Sequence, residues 1–175
     1  YVADGYRKST DTYRMSMPTD ASEDRFLQAA IMAARQASCL RSRCGSVIAK
    51  DGCIIGTGFN SPAGERESER RCTADKTAYD SKVTDKTCCM HAEERAIMDA
   101  LRHRPDQLLG STLYFIRLDG EGNPQHAGAP YCTLCSKLAL DAGIALFVLW
   151  HEAGMTAYPT DEYNRLSYDF HHEQD

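Results

Sequence analysis

The chain has no apolar run approaching the roughly 20 residues that cross a bilayer. Its first stretch, residues 1–21, is polar and lacks the apolar centre of an export signal. Both gaps predict a chain that works in the reducing cytoplasm. Positive charge is not in excess either: 20 Lys and Arg stand against 25 Asp and Glu, for a net charge of −5. That balance disfavours the broad grip on nucleic-acid phosphates, which depends on many cations, and leaves a small molecule as the easier partner. No internal repeat and no low-complexity tract interrupts the sequence. Its 175 residues, 42% apolar and 26% charged, suffice for one compact core.

Cysteine is not scarce, with eight residues. A secreted disulfide framework would use that many, but no export segment accompanies them, and thiols kept reduced for a metal are the better reading. Cys132-Thr133-Leu134-Cys135 lies downstream of His91-Ala92-Glu93. His91, Cys132 and Cys135 make three ligands suited to zinc, and Glu93 is a carboxylate left over. A structural zinc closes its tetrahedron with four protein ligands, whereas a catalytic one keeps a position for water. Read singly, each piece is weaker: a lone His is more often structural, and a lone C-x-x-C serves equally as a redox pair.

Apolar spacing organises the rest. Residues 22–37 read as an amphipathic helix with Ser22 as cap and Phe26, Ala30, Ile31 and Ala34 on one face. Ser46 to Ala49 and Ile54 to Phe59 read as strands joined by a hairpin at Asp51-Gly52. Residues 60–87 have no period and carry six acidic and six basic side chains between Glu65 and Lys86, which predicts a functional loop or a solvated one. Met90 to His103 reads as a helix with Ala96, Ile97, Ala100 and Leu101 as its stripe. Thr112 to Leu118 reads as a strand, Cys132 to Ala142 as a helix closed by Gly143, and Ile144 to Trp150 as a buried strand. A last helix runs from a Thr160 cap to about residue 170, with Tyr163, Leu166 and Phe170 on one face, as core or subunit interface. The order β–β–α–β–α–β predicts an α/β fold with a mixed sheet and helices on both sides.

The pairing of H-x-E with a later C-x-x-C resembles the zinc nucleobase deaminases. The run from Cys44-Gly45-Ser46-Val47 through Asp51-Gly52 to Gly58-Phe59-Asn60 is similar to the opening hairpin of the cytidine and deoxycytidylate deaminase branch. The resemblance spans roughly residues 22 to 150. It departs at Pro130, which stands two residues before Cys132 rather than one, and at Ser61 after Asn60. The resemblance implies a cytidine-deaminase-like three-layer α-β-α sandwich, with residues 1–21 as a polar N-terminal extension and 22–175 as a single zinc deaminase domain. It implies Zn2+ held by His91, Cys132 and Cys135, Glu93 as general acid and base, and substrate contacts at Asn60 and at the backbone of Ala92. The activity it implies is hydrolysis of the amine of a cytosine nucleoside or nucleotide, by a dimer or larger homo-oligomer.

Several readings stay open beside it. They are a deaminase of another base, guanine or a transfer-RNA adenosine, a zinc-stabilised binding module without turnover, and a redox pair of Cys132 with Cys135. Cys72, Cys88 and Cys89 offer a second, structural zinc set with a nearby His; the alternative is that Cys39, Cys44, Cys53, Cys88 and Cys89 are small buried residues. Arg66, Arg70 and Arg71 follow Asn60 and suit a phosphate, unless they pair with Glu65, Glu67 and Glu69. The helix carrying Ile97 and Leu101, with the final aromatic stripe, offers apolar surface for self-association. His103, His126, His151, His171 and His172 read as solvated.

Overall fold

A computed structural model describes Met15–Ser16 and residues 21–171. In chain order the strands and helices are β1 (Met15–Ser16), α1 (Ala21–Ala34), β2 (Arg43–Lys50), β3 (Cys53–Phe59), β4 (Ser61–Pro62), β5 (Cys89–Met90), α2 (Ala92–His103), β6 (Thr112–Leu118), β7 (Pro124–Gln125), α3 (Thr133–Asp141), β8 (Leu146–His151), β9 (Gly154–Pro159) and α4 (Thr160–Tyr168).

The β2–β3 hairpin closes as the sequence predicts. Asp51 and Gly52 both take positive φ, 47° and 78°, the pair of values that lets a two-residue turn match the twist of its strands. The main sheet runs β1-β9-β8-β6-β2-β3. Among the described residues only the β6–β8 pair is parallel, and it is joined through α3. The short β7 pairs with β6 at Arg117 and Leu118, beyond the point where β8 stops.

The sheet has helices on both faces. On one, Phe26, Ala30, Ile31 and Ala34 of α1 pack on Val47, Tyr114 and Val148. On the other, Ala96, Ile97 and Ala100 of α2, Ala139 of α3 and Tyr163 of α4 pack on Ile48, Leu113 and Phe147. This is the expected three-layer arrangement with a mixed sheet. The Tyr163 ring stacks on Phe147 with centroids 3.8 Å apart, a contact worth about 0.5–1.5 kcal/mol beyond area burial.

Some boundaries and roles differ from the expectation. Helix α1 begins at Ala21, which puts Ser22 inside its first turn rather than at the cap, and it ends at Ala34. Met90 belongs to β5, and α2 starts after His91. Thr160 is the first residue of α4 rather than its cap; its buried hydroxyl has no hydrogen-bond partner among the described residues. Strand β9 is an addition: Met155 and Ala157 face α1 while Tyr158 faces the opposite layer. A Gly at its start and a Pro at its end hid that alternation among turn signals. Ile97 is fully buried in the core, so of the pair with Leu101 only Leu101, 49% exposed, is available to a partner.

Candidate active site

Two helix starts meet at the site, and the short β4–β5 ladder brings a third segment to them. Ser61 pairs with Met90 and Pro62 with Cys89, which carries Asn60 and His91, the flanking residues, to the same place. Helix α2 then lies directly on β3. A Cβ added at Gly58 would stand 2.1 Å from the Ala92 carbonyl oxygen and 2.4 Å from the Ala96 nitrogen. Only a residue without a side chain allows that approach.

His91 is the N-cap residue of α2, and Cys132 that of α3. The His91 backbone N–H donates to Glu94 Oε2 at 2.8 Å, so a neighbouring carboxylate satisfies the helix start. The Cys135 backbone N–H points at Cys132 Sγ at 3.4 Å, as three-residue spacing in a first helical turn requires. Across the two helices, His91 Nδ1 lies 3.2 Å from Cys135 Sγ and 3.3 Å from Cys132 Sγ. All three donor atoms fall within 4.8 Å of one another.

The donors are close enough to share protons. The Cys135 thiol beside Cys132 holds it down to about 4, against the cost of burial. The same contact, with burial, pushes Cys135 well above its ordinary value. Cys132 draws His91 up to about 9. A set in which two groups compete to protonate a third is a set that a divalent cation satisfies, because it replaces those protons. Two sulfurs and one imidazole suit zinc.

Glu93 is 5% exposed. Burial first, and then the charge of Cys132, push its carboxyl up to about 7. It shares a cavity of about 140 Å³ with Asn60, His91, Phe115, Arg117 and Tyr131. Ala92 lines that cavity too and sits at the first position of α2, where a backbone N–H has no partner within the helix.

Asn60 is at the cavity wall, with its amide anchored at the start of β2: Oδ1 accepts the Cys44 N–H and Nδ2 donates to the Ser42 carbonyl, both at 2.8 Å, which leaves one N–H and one lone pair. The loop arginines are also committed. Arg70 forks onto Glu67 at 2.6 Å and donates to the Ser38 carbonyl, and Arg71 forks onto Glu69 at 3.0 Å. Arg70 and Arg71 thus form the pairs of the alternative reading, whereas Glu65 pairs with Arg95 rather than with Arg66.

The family model of the cytidine and deoxycytidylate deaminase zinc-binding region matches residues 20–151. The chain belongs to this family. Deoxycytidylate deaminase of Mycobacterium phage D29 is 32% identical over 128 residues, which cover 70% of this chain and 88% of the phage protein. Deoxycytidylate deaminase of Schizosaccharomyces pombe is 32% identical over 84 residues, 45% of this chain and 26% of that protein, so the match spans about a quarter of the yeast relative. Among solved structures, the dCMP deaminase of cyanophage S-TIM5 in complex with dCMP and dUMP shares the fold. Its TM-score is 0.52 at 18% identity, covering 75% of this chain and 82% of that one. Cytidine deaminase from Burkholderia pseudomallei gives 0.52 at 16%, covering 80% and 94%.

Sequence reasoning missed the wall opposite the donors. Arg117 donates to the Tyr131 hydroxyl at 2.6 Å, while its buried Nε has no hydrogen-bond partner among the described residues. Tyr131 in turn meets the Phe170 ring, with centroids 5.5 Å apart. Both rings, with Tyr163 and His126, line a second chamber that shares Glu93 and Arg117 with the first. The final aromatic stripe is therefore partly site wall, not only core or interface.

One histidine read as solvated is engaged: His151 lies 2.9 Å from both the Ala127 carbonyl and the Tyr158 hydroxyl. His126 is exposed as expected, with its ring tilted at 53° to that of Trp150 and centroids 4.1 Å apart. His103 is exposed as expected, and His172 lies outside the described residues. The signal for Arg117 was present: a lone cation in an otherwise apolar strand.

Proposed function

We propose that this chain is a zinc-dependent hydrolase that removes the exocyclic amine of a cytosine nucleotide, dCMP foremost, giving the uracil nucleotide and ammonia. The observation that carries this reading is Glu93, a buried carboxyl near neutrality, in one cavity with His91 and Cys132. Zinc, when held by His91, Cys132 and Cys135, supplies the acidity that makes water a nucleophile at neutral pH.

Glu93 takes one proton from the attacking water and delivers it to the ring nitrogen next to the amino-bearing carbon. It then carries the second proton to the departing amine, which leaves as neutral ammonia. A carboxyl held near pH 7 suits both directions of transfer. The N–H of Ala92 holds a substrate oxygen, and Asn60, fixed by Ser42 and Cys44, offers its remaining N–H and lone pair to the sugar. Arg117, with a free buried N–H beside the cavity, reads the anionic part of the substrate. Two deoxycytidylate deaminase relatives favour the nucleotide over the free base.

Residues 22–175 act as one catalytic domain in this reading. Its thiol ligands require a reducing compartment, the cytoplasm; recovery of the chain from a secreted fraction would overturn that. Leu101 and Leu109, 49% and 78% exposed, are the apolar surface for a homo-oligomer, and light scattering should give a mass above 19.5 kDa.

Ammonia release from cytosine, cytidine, deoxycytidine, CMP, dCMP, guanine and adenosine tests the activity. Turnover of dCMP ahead of the others is expected. Activity confined to guanine or adenosine would replace the substrate assignment, and release from none would leave a zinc-stabilised binding module.

A further inference from the structure

Four cysteines outside the active site converge from three separate parts of the chain. Cys39 follows α1, Cys72 lies in the segment between β4 and β5, and Cys88 and Cys89 enter β5. The sulfurs of Cys39, Cys72 and Cys89 fall within 4.8 Å of one another. Cys88 adjoins two of them, at 3.1 Å from Cys72 and 3.7 Å from Cys89, and lies outside the 4.8 Å group that includes Cys39; Cys72 is 4.0 Å from Cys89. We propose that Cys39, Cys72, Cys88 and Cys89 form a second metal site, a closed four-thiolate zinc centre with a structural role.

The distances separate this from the alternatives. A disulfide needs sulfurs at about 2.05 Å, and all eight cysteines are free thiols. A tetrahedral zinc with bonds of about 2.3 Å sets its sulfurs about 3.8 Å apart, close to the 3.1, 3.7 and 4.0 Å found among Cys72, Cys88 and Cys89, with Cys39 within 4.8 Å of Cys72 and Cys89. Four thiols packed together for hydrogen bonding alone would gain little, because S–H is a weak donor and sulfur a weak acceptor.

The surroundings fit a site that carries negative charge. Zinc with four thiolates has a net charge of −2, and the cavity at the cluster is lined by Arg41, Arg71, Lys76 and Lys86, with no carboxylate among the described residues. Arg70 Nη1 also points at Cys72 Sγ, at 3.5 Å. No ligand position is left for water, which marks the centre as structural. The segment it ties down, residues 63–88, has three short 3-10 turns and little apolar content, so a metal clasp does the work that a core does elsewhere. Cys89 stands two residues before His91, which makes the clasp a positioning device for the catalytic set.

Zinc counting by emission spectroscopy on the full chain tests the proposal. Two zinc ions per chain are expected. Cys132→Ser with Cys135→Ser should keep one, and Cys72→Ser with Cys88→Ser should lose one and melt at lower temperature. Cobalt(II) added to the Cys132→Ser, Cys135→Ser chain should give the intense tetrahedral absorption and sulfur-to-metal charge transfer of a thiolate site. Loss of all zinc with Cys132 and Cys135 would overturn the proposal. So would a weak octahedral cobalt spectrum, or a Cys72–Cys88 disulfide by mass spectrometry under non-reducing conditions. If the Cys72 and Cys88 variants do not fold, the cobalt spectrum and the zinc count of the other variant still decide.

Discussion

Glu94 caps the helix that His91 begins. Its carboxylate accepts the His91 backbone N–H at 2.8 Å, so the imidazole is not needed for capping and turns to Cys132 and Cys135. Sequence order assigns the two tasks within one helical turn: the donor residue at the cap, and the capping residue three positions on.

Glu94→Ala should therefore weaken more than the helix. Loss of the reciprocal cap should cost about 0.5–2 kcal/mol of stability, and zinc affinity should fall about 10–100-fold, as when a group that orients a metal ligand is removed. Thermal melts and a zinc-chelator competition measure the two effects. Unaltered zinc affinity in a destabilised chain would confine Glu94 to capping.

Glu93→Gln should leave zinc content and fold intact and lower turnover by at least about 10²–10⁴, the range for general acid–base catalysis. Cys135→Ala should differ in kind, losing zinc, stability and activity together. Full activity in the glutamine variant would end the proton-transfer role of Glu93.

The anion-reading role of Arg117 predicts a split between substrates. Arg117→Gln should raise KM for dCMP about 10–100-fold, the effect of losing a hydrogen bond to a charged group, with a smaller change for deoxycytidine. Arg66→Ala, on the exposed loop, should leave both substrates unaffected. An equal loss on nucleotide and nucleoside would show that Arg117 acts by holding Tyr131 in place.

Gly58→Ala tests the contact between sheet and site. The new methyl meets backbone atoms of Ala92 and Ala96 at 2.1 and 2.4 Å, so α2 must shift. The overpacking should cost about 1–3 kcal/mol and reduce kcat by moving Glu93 relative to the metal ligands. Wild-type stability and kcat would mean that α2 is not seated by this glycine.

Features set by short spacing were legible in the chain itself. His91 and Glu93 at one helix start, Cys132 and Cys135 at another, and the Asp51-Gly52 turn all follow from helix and turn geometry over a few residues. The same local logic found α1 and α2, because their stripes repeat every three to four residues. Where a pattern was masked by turn formers, as in Gly154–Pro159, the strand was lost.

Only the tertiary structure decided what meets across the sheet. Nothing in spacing joins Cys39 to Cys72 and Cys89, because their closeness depends on β3 and β4 returning the chain to the end of α1. Arg117 faces the cavity because β2 and β7 fix the register of β6 on both sides. Phe170 lines the site because α4 packs on α3 and ends beside Tyr131. Each of these contacts joins residues far apart in the chain, and long-range register is set by packing of whole layers rather than by the residues that come into contact.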